Sequence, residues 1–364
     1  MKIVYDHEIF YQQIYGGISS YFTNLGLELL KQNININFVC PIHKNKNLSR
    51  IPKKNIIGKK LIYPSKLNKL ISYINSHLSS RYYQKINPNI IHKTYFSNNK
   101  INFKYKNVIT FYDVTHELNK NSNEINKKIM SNKIKDIKSV DHIICPSNQV
   151  KFDLMNYYNI EENKISVTYF SSDYEKVSKN ELSKKKKYTN YLLYVGNRSG
   201  YKNFNSLVSA FVKSEKLKKD FKVFVFGGEK PSICGKEIIK NTKLPAGTFN
   251  FISGTNEDLK FLYKNVRALI YTSSYEGFGI PLVEAMRSGC PVITSNGGAL
   301  NEVGGEGLSY FNPNKDTEIK EKIEEMVYSE ENIKKAINYG LSRCDFFSWA
   351  NCANKTLEVY KKIL

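Results

Sequence analysis

The strongest constraint on the fold is that predicted strands and helices alternate along the chain, and that this alternation occurs twice. In the first half, short apolar runs predict strands at residues 2–5, 34–40, 90–92, 108–112, 142–146 and 165–169. In the second half, strands are predicted at residues 191–195, 222–226, 268–271 and 292–294. Amphipathic helices are predicted between them, for example at 18–31, whose apolar face carries Ile18, Tyr21, Phe22, Leu25 and Leu29. This alternation is typical of an α/β fold with parallel sheets covered by helices on both faces.

A polar, charged segment separates the two halves. Residues 171–189 include a run of lysines at 184–187, a composition typical of a linker. A length of 364 residues fits two domains. We therefore predict an N-terminal domain at residues 1–172, a linker at 173–189 and a C-terminal domain at 190–346, followed by a last helix at about 347–364.

The chain is strongly basic, with a formal net charge of +22. Residues 1–180 contain 27 Lys or Arg and 13 Asp or Glu, whereas the remainder contains 28 and 20. Such an excess favours anionic partners such as lipid headgroups, diphosphates or nucleic acid. An AT-rich gene would also raise Lys, Asn, Ile and Tyr together, and all four are abundant here. Part of the excess therefore requires no functional explanation.

Other properties narrow the class of protein. No run approaches the roughly 18 apolar residues of a membrane span, and Asp6, His7 and Glu8 come too early for a signal peptide. The six cysteines are scattered without a C-x-x-C pair, as is typical of reduced thiols in a cytosolic protein. No cluster of His, Asp and Glu has the spacing of metal ligands. We expect a cytosolic protein without a metal site.

The segment at residues 275–285, Tyr-Glu-Gly-Phe-Gly-Ile-Pro-Leu-Val-Glu-Ala, combines a glycine turn, a helix start and two carboxylates. Gly277 and Gly279 allow backbone N–H groups to approach a ligand closely. A helix start attracts anions, and Glu276 and Glu284 lie on either side of it. Because carboxylates accept hydrogen bonds from sugar hydroxyls, the segment predicts a ligand with hydroxyls on both sides of a phosphate, such as a nucleotide-sugar.

This segment resembles the signature of the retaining family-4 glycosyltransferases, E-G-F-G-x-P-x-x-E-A, whose two glutamates are separated by seven residues. The likeness continues through residues 288–293 and 296–303 and covers nearly the whole chain, most strongly from 191 to 307. The resemblance implies the GT-B fold, an α/β architecture in which two Rossmann-like parallel-sheet domains face a central cleft. It also implies that the last helix crosses back onto the N-terminal domain.

The resemblance further implies a donor site in the C-terminal domain. Glu276 would be catalytic and orient the sugar hydroxyls, and Glu284 would bind the ribose. Lys202 and Arg198 would offset the charge of the diphosphate, although Arg198 lies one position after the family's commonest arginine position. The other donor-binding candidates are Gly17, Gly196, Asn197, Gly254, Gly277, Phe278, Gly279 and Ile280.

On the acceptor side, the resemblance points to the N-terminal domain. Gly16 and Gly17 resemble the family's N-terminal glycine loop, in which a backbone amide faces the donor phosphate and the acceptor. The family often has a His-Asp pair where this chain has Tyr112 and Asp113, and a histidine, His116, follows four residues after Tyr112. Either Tyr112 or His116 would take the family's histidine role. His92, at the end of a predicted strand, is either an acceptor-side residue or a structural histidine.

Together these observations predict a retaining, metal-independent hexosyltransferase with a nucleotide-sugar co-substrate and no cofactor. The donor would be GDP-mannose or a UDP-sugar, and the acceptor a glycan or polyprenyl-linked glycan in bacterial O-antigen, capsule or lipopolysaccharide synthesis. The basic, aromatic residues 44–85 would dock on an anionic membrane, on the inner face of the cytoplasmic membrane.

Two alternatives stay open. A nucleotide-sugar 2-epimerase shares the fold, but the glutamate pair argues against it. A nucleic-acid-binding protein is suggested by net charge only, and no recognisable reading module accompanies that charge.

Overall fold

The structure, a computed structural model, describes residues 1–97, 104–118, 124–184, 187–198, 200–227 and 233–364. Its contacts divide the chain into two compact units. The first unit comprises Met1–Phe170 and Ser348–Leu364, and the second comprises Ser171–Phe347. Each unit is built on its own parallel sheet, so the predicted α/β architecture is confirmed.

The described part of the first unit contains a seven-stranded sheet in the order β3-β2-β1-β4-β5-β6-β7. Its strands are β1 (Lys2–Tyr5), β2 (Asn35–His43), β3 (Ile56–Lys60), β4 (Ile90–Lys93), β5 (Lys106–Thr110), β6 (His142–Cys145) and β7 (Ile165–Val167). Its helices before the chain leaves this unit are α1 (Glu8–Gln12), α2 (Gly17–Lys31), α3 (Asn68–Ile86), α4 (Thr115–Leu118), α5 (Glu124–Ser139) and α6 (Asn148–Tyr158).

The second unit contains, in its described residues, a six-stranded sheet in the order β10-β9-β8-β11-β12-β13. Its strands are β8 (Tyr188–Val195), β9 (Lys222–Phe226), β10 (Phe249–Ile252), β11 (Val266–Tyr271), β12 (Val292–Ser295) and β13 (Ser309–Phe311). Its helices are α7 (Lys179–Leu182), α8 (Phe204–Val212), α9 (Glu215–Asp220), α10 (Ile233–Lys240), α11 (Asn256–Asn265), α12 (Ile280–Arg287), α13 (Leu300–Gly304), α14 (Asp316–Val327) and α15 (Glu330–Arg343).

Both sheets reverse their direction of growth next to their first strand, at β1 and β4 in the first unit and at β8 and β11 in the second. In open parallel sheets, ligands bind beyond the carboxyl ends of the strands at such a point. Ile3 and Val4 in β1 and Leu192 and Leu193 in β8 are fully buried. These residues anchor the central strands in the two cores.

The last helix, α16 (Trp349–Ile363), belongs to the first unit. It packs on α2, and Gln32 Nε2 donates to Asn354 Oδ1 over 2.8 Å. The face of α16 that packs against the first unit is apolar and includes the buried residues Leu357 and Tyr360. The chain thus returns to the first unit after completing the second.

The described residues of the predicted linker, 173–184 and 187–189, instead pack within the second unit. The Tyr174 hydroxyl donates to the Asn256 carbonyl over 3.0 Å, and the Val177 N–H donates to the Arg287 carbonyl over 2.8 Å. Tyr174 and Val177 are buried, and β8 already begins at Tyr188. The buried side chains of Tyr174 and Val177 and these two hydrogen bonds anchor a segment whose composition is polar.

Candidate active site

The signature segment, residues 275–285, forms the turn after β11 and the first part of α12. Gly279 precedes the helix with φ of +102°, no side chain caps the helix start, and Pro281 is the second helical residue. A Cβ atom at position 279 would lie 2.7 Å from Leu300 Cδ2. The left-handed backbone and this close contact both require glycine, and the resulting helix start can accept an anion.

Three side chains meet in the turn before α12. Lys202 Nζ donates to Glu276 Oε1 over 2.5 Å and to the Tyr271 hydroxyl over 2.9 Å. The Tyr271 hydroxyl donates to the same Glu276 oxygen over 2.8 Å. The structure therefore brings together two of the predicted catalytic residues, Lys202 and Glu276, and adds a tyrosine that sequence reasoning missed. The sequence feature that could have identified Tyr271 is its position at the carboxyl end of a predicted strand, five residues before Glu276.

The electrostatic surroundings keep Lys202 charged. Burial alone would lower the pKa of Lys202, but the oxygens of Tyr271 and Glu276 outweigh it and raise that pKa above the usual lysine value. The ammonium also lies 5.1 Å from the ring centres of Tyr201 and Tyr271. The Thr272 hydroxyl holds the loop by donating to the Lys202 carbonyl over 2.9 Å. This loop thus presents a cation beside the helix start.

Glu284 lies in the middle of α12 and is partly buried. Its Oε2 accepts a hydrogen bond from the Tyr263 hydroxyl over 3.1 Å. Burial raises the pKa of Glu284 to about 7, the Tyr263 hydrogen bond opposes this shift, and Asp173 adds to it. A carboxyl group with this pKa exchanges its proton near neutral pH.

The predicted second cation, Arg198, is buried in the loop after β8. Its Nη1 donates to the Gly227 carbonyl over 2.6 Å, and the guanidinium carbon lies 5.4 Å from the centre of the Phe251 ring. Gly227 follows β9 and Phe251 belongs to β10, whereas Lys202 contacts the end of β11. The structure thus holds the two predicted cations at different strand ends of the second sheet.

The remaining donor-binding candidates of the second unit lie in turns at the carboxyl ends of its strands. Gly196 follows β8 with φ of +137°, and its N–H donates to the Phe226 carbonyl over 3.0 Å. Asn197 is exposed, and its carbonyl accepts from the Tyr194 hydroxyl. Gly254 is exposed in the turn after β10. The other three are Gly277 and Phe278, both buried, and Ile280, the first residue of α12.

Gly16 and Gly17 lie in the first unit at the start of α2, which begins at Gly17. No side chain caps this helix, and the Gly16 carbonyl accepts from the Ser20 N–H and the Ser19 hydroxyl, each over 3.0 Å. The side chain of Gln13 fills the space that a Cβ atom at Gly16 would need. A side chain at position 16 would therefore displace the Gln13 side chain.

His92 is a core residue of the first unit and is 0% exposed. Its Nδ1 is 2.5 Å from the Tyr360 hydroxyl, and its Nε2 is 2.8 Å from Thr110 Oγ1. Burial lowers the pKa of His92 to about 3, so the ring is neutral. With both nitrogens engaged in the core, His92 matches the structural alternative and not an acceptor-side role.

Tyr112, Asp113 and His116 follow β5. The Tyr112 hydroxyl donates to the Thr94 carbonyl over 2.9 Å, and Asp113 Oδ1 accepts from the Thr115 N–H over 2.9 Å. His116 is partly buried, and its Nδ1 has no hydrogen-bond partner among the residues that the structure describes. Burial, followed by the nearby Lys133, lowers the pKa of His116. The Tyr112 hydroxyl therefore already donates to a backbone carbonyl, whereas His116 Nδ1 has no partner among the described residues.

Two family models match consecutive parts of the chain. The model of Glycosyltransferase Family 4 matches residues 15–173, beginning at the glycine turn before α2. The model of Glycosyl transferases group 1 matches residues 173–343, which include Lys202, Glu276 and Glu284. The chain belongs to glycosyltransferase family 4. The predicted family is therefore confirmed.

The sequence is similar to those of two O-antigen chain mannosyltransferases. The O-antigen chain mannosyltransferase RfbU of Salmonella typhimurium is 32% identical over 212 residues, which cover 58% of this chain and 57% of RfbU. The O-antigen chain mannosyltransferase B of Escherichia coli is 30% identical over 175 residues, covering 47% of this chain and 45% of that protein. The chain thus spans about half the length of these relatives.

The fold is also that of solved glycosyltransferase structures. A glycosyltransferase from Rickettsia africae is 20% identical, with a TM-score of 0.72, and the match covers 100% of this chain and 98% of that one. At this identity the likeness concerns the fold alone. It supports the GT-B class predicted for this family-4 chain.

Sequence reasoning missed a buried charged cluster in the first unit of this family-4 chain, at the carboxyl ends of β1 and β4. Asp6, Glu8, Lys93 and Asp136 are each at most 5% exposed. Lys93 Nζ donates to Asp136 Oδ1 over 2.6 Å. Burial raises the pKa of Glu8 to about 8, Asp6 adds to this shift, and Lys93 opposes it. The signal was Asp-His-Glu directly after an apolar strand.

No helix in the described ranges combines the length and apolarity needed to cross a bilayer. Within the same ranges, no three His, Cys, Asp or Glu side chains are grouped as metal ligands.

Proposed function

We propose that this family-4 protein is a retaining glycosyltransferase that moves a hexose from a nucleotide-diphosphate sugar to a hydroxyl of a glycan or lipid-linked glycan. The observation that carries the proposal is the contact between Lys202 and Glu276 in the turn before α12. A cation for the diphosphate, a carboxylate for sugar hydroxyls and a helix start then surround one ligand. Similarity to O-antigen chain mannosyltransferases supports GDP-mannose as donor, ahead of a UDP-sugar, and a bacterial surface polysaccharide as product.

In the proposed reaction, the second unit stabilises the negative charge that develops on the leaving group. As the nucleoside diphosphate departs, its negative charge is offset by Lys202 and by the N–H groups at the start of α12. Arg198 supplies a second cation from the loop after β8. Glu276 accepts hydrogen bonds from the hexose hydroxyls, and Glu284 accepts them from the ribose.

For retention, we propose a single step in which the acceptor attacks from the face on which the leaving group departs. The bond between the anomeric carbon and the phosphate oxygen breaks, and the acceptor oxygen forms the new bond to that carbon. The acceptor proton passes to the departing phosphate. This step passes through an oxocarbenium-like state, and its bonds and its proton are accounted for without a metal ion or a cofactor.

In the proposed reaction, the first unit binds the acceptor. Gly16 and Gly17 contribute the backbone at the start of α2, and Asp113 lies in the turn after β5. Because the Tyr112 hydroxyl is held by a backbone carbonyl while His116 Nδ1 has no partner in the described part of the chain, His116 is favoured for the family's histidine role.

The first unit also has a surface suited to an anionic membrane. No Asp or Glu occurs from residue 29 to residue 112. Within residues 59–73, exposed lysines alternate with apolar side chains whose exposed fractions reach 99% at Ile62 and 76% at Tyr73. Lysines attract anionic headgroups while apolar side chains enter the interface. We infer peripheral binding to the inner face of the cytoplasmic membrane through residues 44–85.

A donor screen tests the proposed activity. Thermal shifts with GDP-, UDP-, ADP- and TDP-sugars should identify one stabilising donor, and stabilisation by none of them would reject the proposal. With that donor, Glu276→Ala should lower transfer by about 10²- to 10³-fold while nucleoside-diphosphate binding persists. Glu215→Ala, at an exposed glutamate of the same unit, is the control.

The same assays separate the alternatives. Conversion of the nucleotide-sugar to its 2-epimer without an acceptor would identify an epimerase. A salt-sensitive gel shift with nucleic acid, together with no donor binding, would favour the nucleic-acid alternative.

A further inference from the structure

Tyr271 is the one member of the Lys202–Tyr271–Glu276 group that is closed to solvent. It is 1% exposed, whereas the Lys202 and Glu276 side chains are 16% and 13% exposed. Tyr271 ends β11, where it is paired in the sheet with Thr294. Its ring and hydroxyl are therefore held by the core, beneath two charged groups that remain accessible to a ligand.

The hydrogen bonds of this group leave a defined place for a sugar. Within the part of the chain that the structure describes, both donors to the Glu276 carboxylate, Lys202 Nζ and the Tyr271 hydroxyl, end on Oε1. The other carboxylate oxygen, Oε2, can then accept a hydrogen bond from a hexose hydroxyl. A tyrosine hydroxyl has one proton to donate, and Tyr271 directs it to Glu276 while accepting from Lys202.

Lys202 and Glu276 form an ion pair with each other, whereas the proposed donor site uses Lys202 for the diphosphate and Glu276 for the sugar. When Lys202 moves its ammonium toward the diphosphate, Glu276 loses its ionic partner. A partly buried carboxylate without a hydrogen-bond donor is costly and reorients. The Tyr271 hydroxyl, fixed by the sheet, continues to donate to Oε1 after that exchange.

We propose, on the basis of the function proposed above, that Tyr271 is a positioning residue that holds Glu276 in place while Lys202 exchanges its carboxylate partner for the donor diphosphate. Tyr271 acts through Glu276 and does not touch the donor. Its effect therefore depends on the sugar moiety of the donor and on the presence of the Glu276 carboxylate.

The test uses the full chain with Tyr271→Phe, which keeps the ring and its packing and removes the hydroxyl. We expect kcat to fall about 10- to 100-fold, the cost of a hydrogen bond to a charged group. Calorimetry should show weaker binding of the nucleotide-sugar and binding of the nucleoside diphosphate changed by less than about threefold. Tyr310→Phe, which removes a hydroxyl that contacts the Gly305 carbonyl in the same unit, should change neither quantity.

A double-mutant cycle with Glu276→Gln separates positioning from simple packing. If Tyr271 acts through the carboxylate, Tyr271→Phe has little further effect on kcat or on nucleotide-sugar affinity in the Glu276→Gln background. Multiplicative effects of the two substitutions, or an unchanged Tyr271→Phe variant, would overturn the positioning role alone. Failure of the unmodified chain to bind any nucleotide-sugar would overturn the proposed function, and this inference with it.

Discussion

The Tyr263 hydroxyl donates to Glu284 Oε2 over 3.1 Å and so joins α11 to α12. Tyr263 is 0% exposed, and the pKa of Glu284 is raised to about 7, chiefly by burial. The carboxyl group proposed to bind the ribose therefore changes its charge in the neutral range. Donor affinity should depend on pH for this reason.

We predict that the affinity for GDP-mannose decreases as the pH falls below about 7. Ribose hydroxyls donate to the ionised carboxylate, so protonation of Glu284 competes with binding, by up to about tenfold in Kd per pH unit. Glu284→Gln should bind more weakly at pH 8 and show a flatter profile from pH 5.5 to 8.5. Calorimetry measures both, and equal slopes for the two proteins would argue against a ribose role for Glu284.

A second prediction concerns the glycine before α12. Gly279→Ala forces a side chain into the left-handed region, with φ of +102°, and against Leu300. We expect it to lower the free energy of unfolding by about 2–4 kcal/mol. Gly200→Ala also has positive φ, but nothing lies within 4 Å of its added Cβ atom, so it should cost about 1–2 kcal/mol. Urea denaturation of both variants measures the difference, and equal losses would mean that the Leu300 contact relaxes without cost.

A third prediction follows from the buried Glu8. Its pKa is raised from 4.5 to about 8 in the folded protein, so the folded state keeps a proton that the unfolded chain releases. The free energy of unfolding should therefore fall as the pH rises from about 4.5 to about 8, by at most about 1.4 kcal/mol per unit for this group. Glu8→Gln should reduce that slope.

The measurement is best made between pH 6.5 and 8. Burial lowers the pKa of neighbouring His7 to about 3, so this histidine stays neutral throughout that window. Glu162→Gln, at a glutamate that is 69% exposed, is the matched control and should leave the slope unchanged. A Glu8→Gln variant with the unmodified slope would show that Glu8 is ionised in the folded state.

The fourth prediction concerns the membrane surface. Replacing Lys53, Lys54, Lys59 and Lys60 together by Gln should reduce binding to liposomes that contain anionic lipid. Each removed charge near such a surface costs about 1 kcal/mol, while donor binding in the second unit should be unchanged. Sedimentation with anionic and with zwitterionic liposomes measures the effect. Undiminished binding by the quadruple variant would remove residues 44–85 from consideration as the docking surface.

Several elements could be predicted almost to the residue. The sequence predicts strands at 2–5 and 222–226, and β1 and β9 have the same bounds. The last helix, predicted at about 347–364, begins at Trp349 and ends at Ile363, and Ser348 caps its start. These apolar patterns and this cap involve neighbouring residues only. Helix α3 was missed because its buried face includes Asn75 and Ser79, while Leu70 and Tyr73 are exposed, so no apolar stripe marks it.

Local sequence also determined the signature segment, since a glycine turn, a helix start and two glutamates lie within eleven residues. It could not determine whether His92 was structural, because its partner Tyr360 is 268 residues away. The same limit applies to Tyr271, whose role depends on Lys202, 69 residues earlier.

The sequence by itself thus determined the family, the two parallel sheets and the position of the donor signature, because periodicity and short motifs are properties of neighbouring residues. Only the tertiary structure decided that Tyr174 and Val177 pack within the second unit, that Tyr271 contacts both Lys202 and Glu276, and that Glu8 and Glu284 have raised pKa values. Burial and charge pairing depend on groups that lie far apart along the chain and meet only in the folded protein.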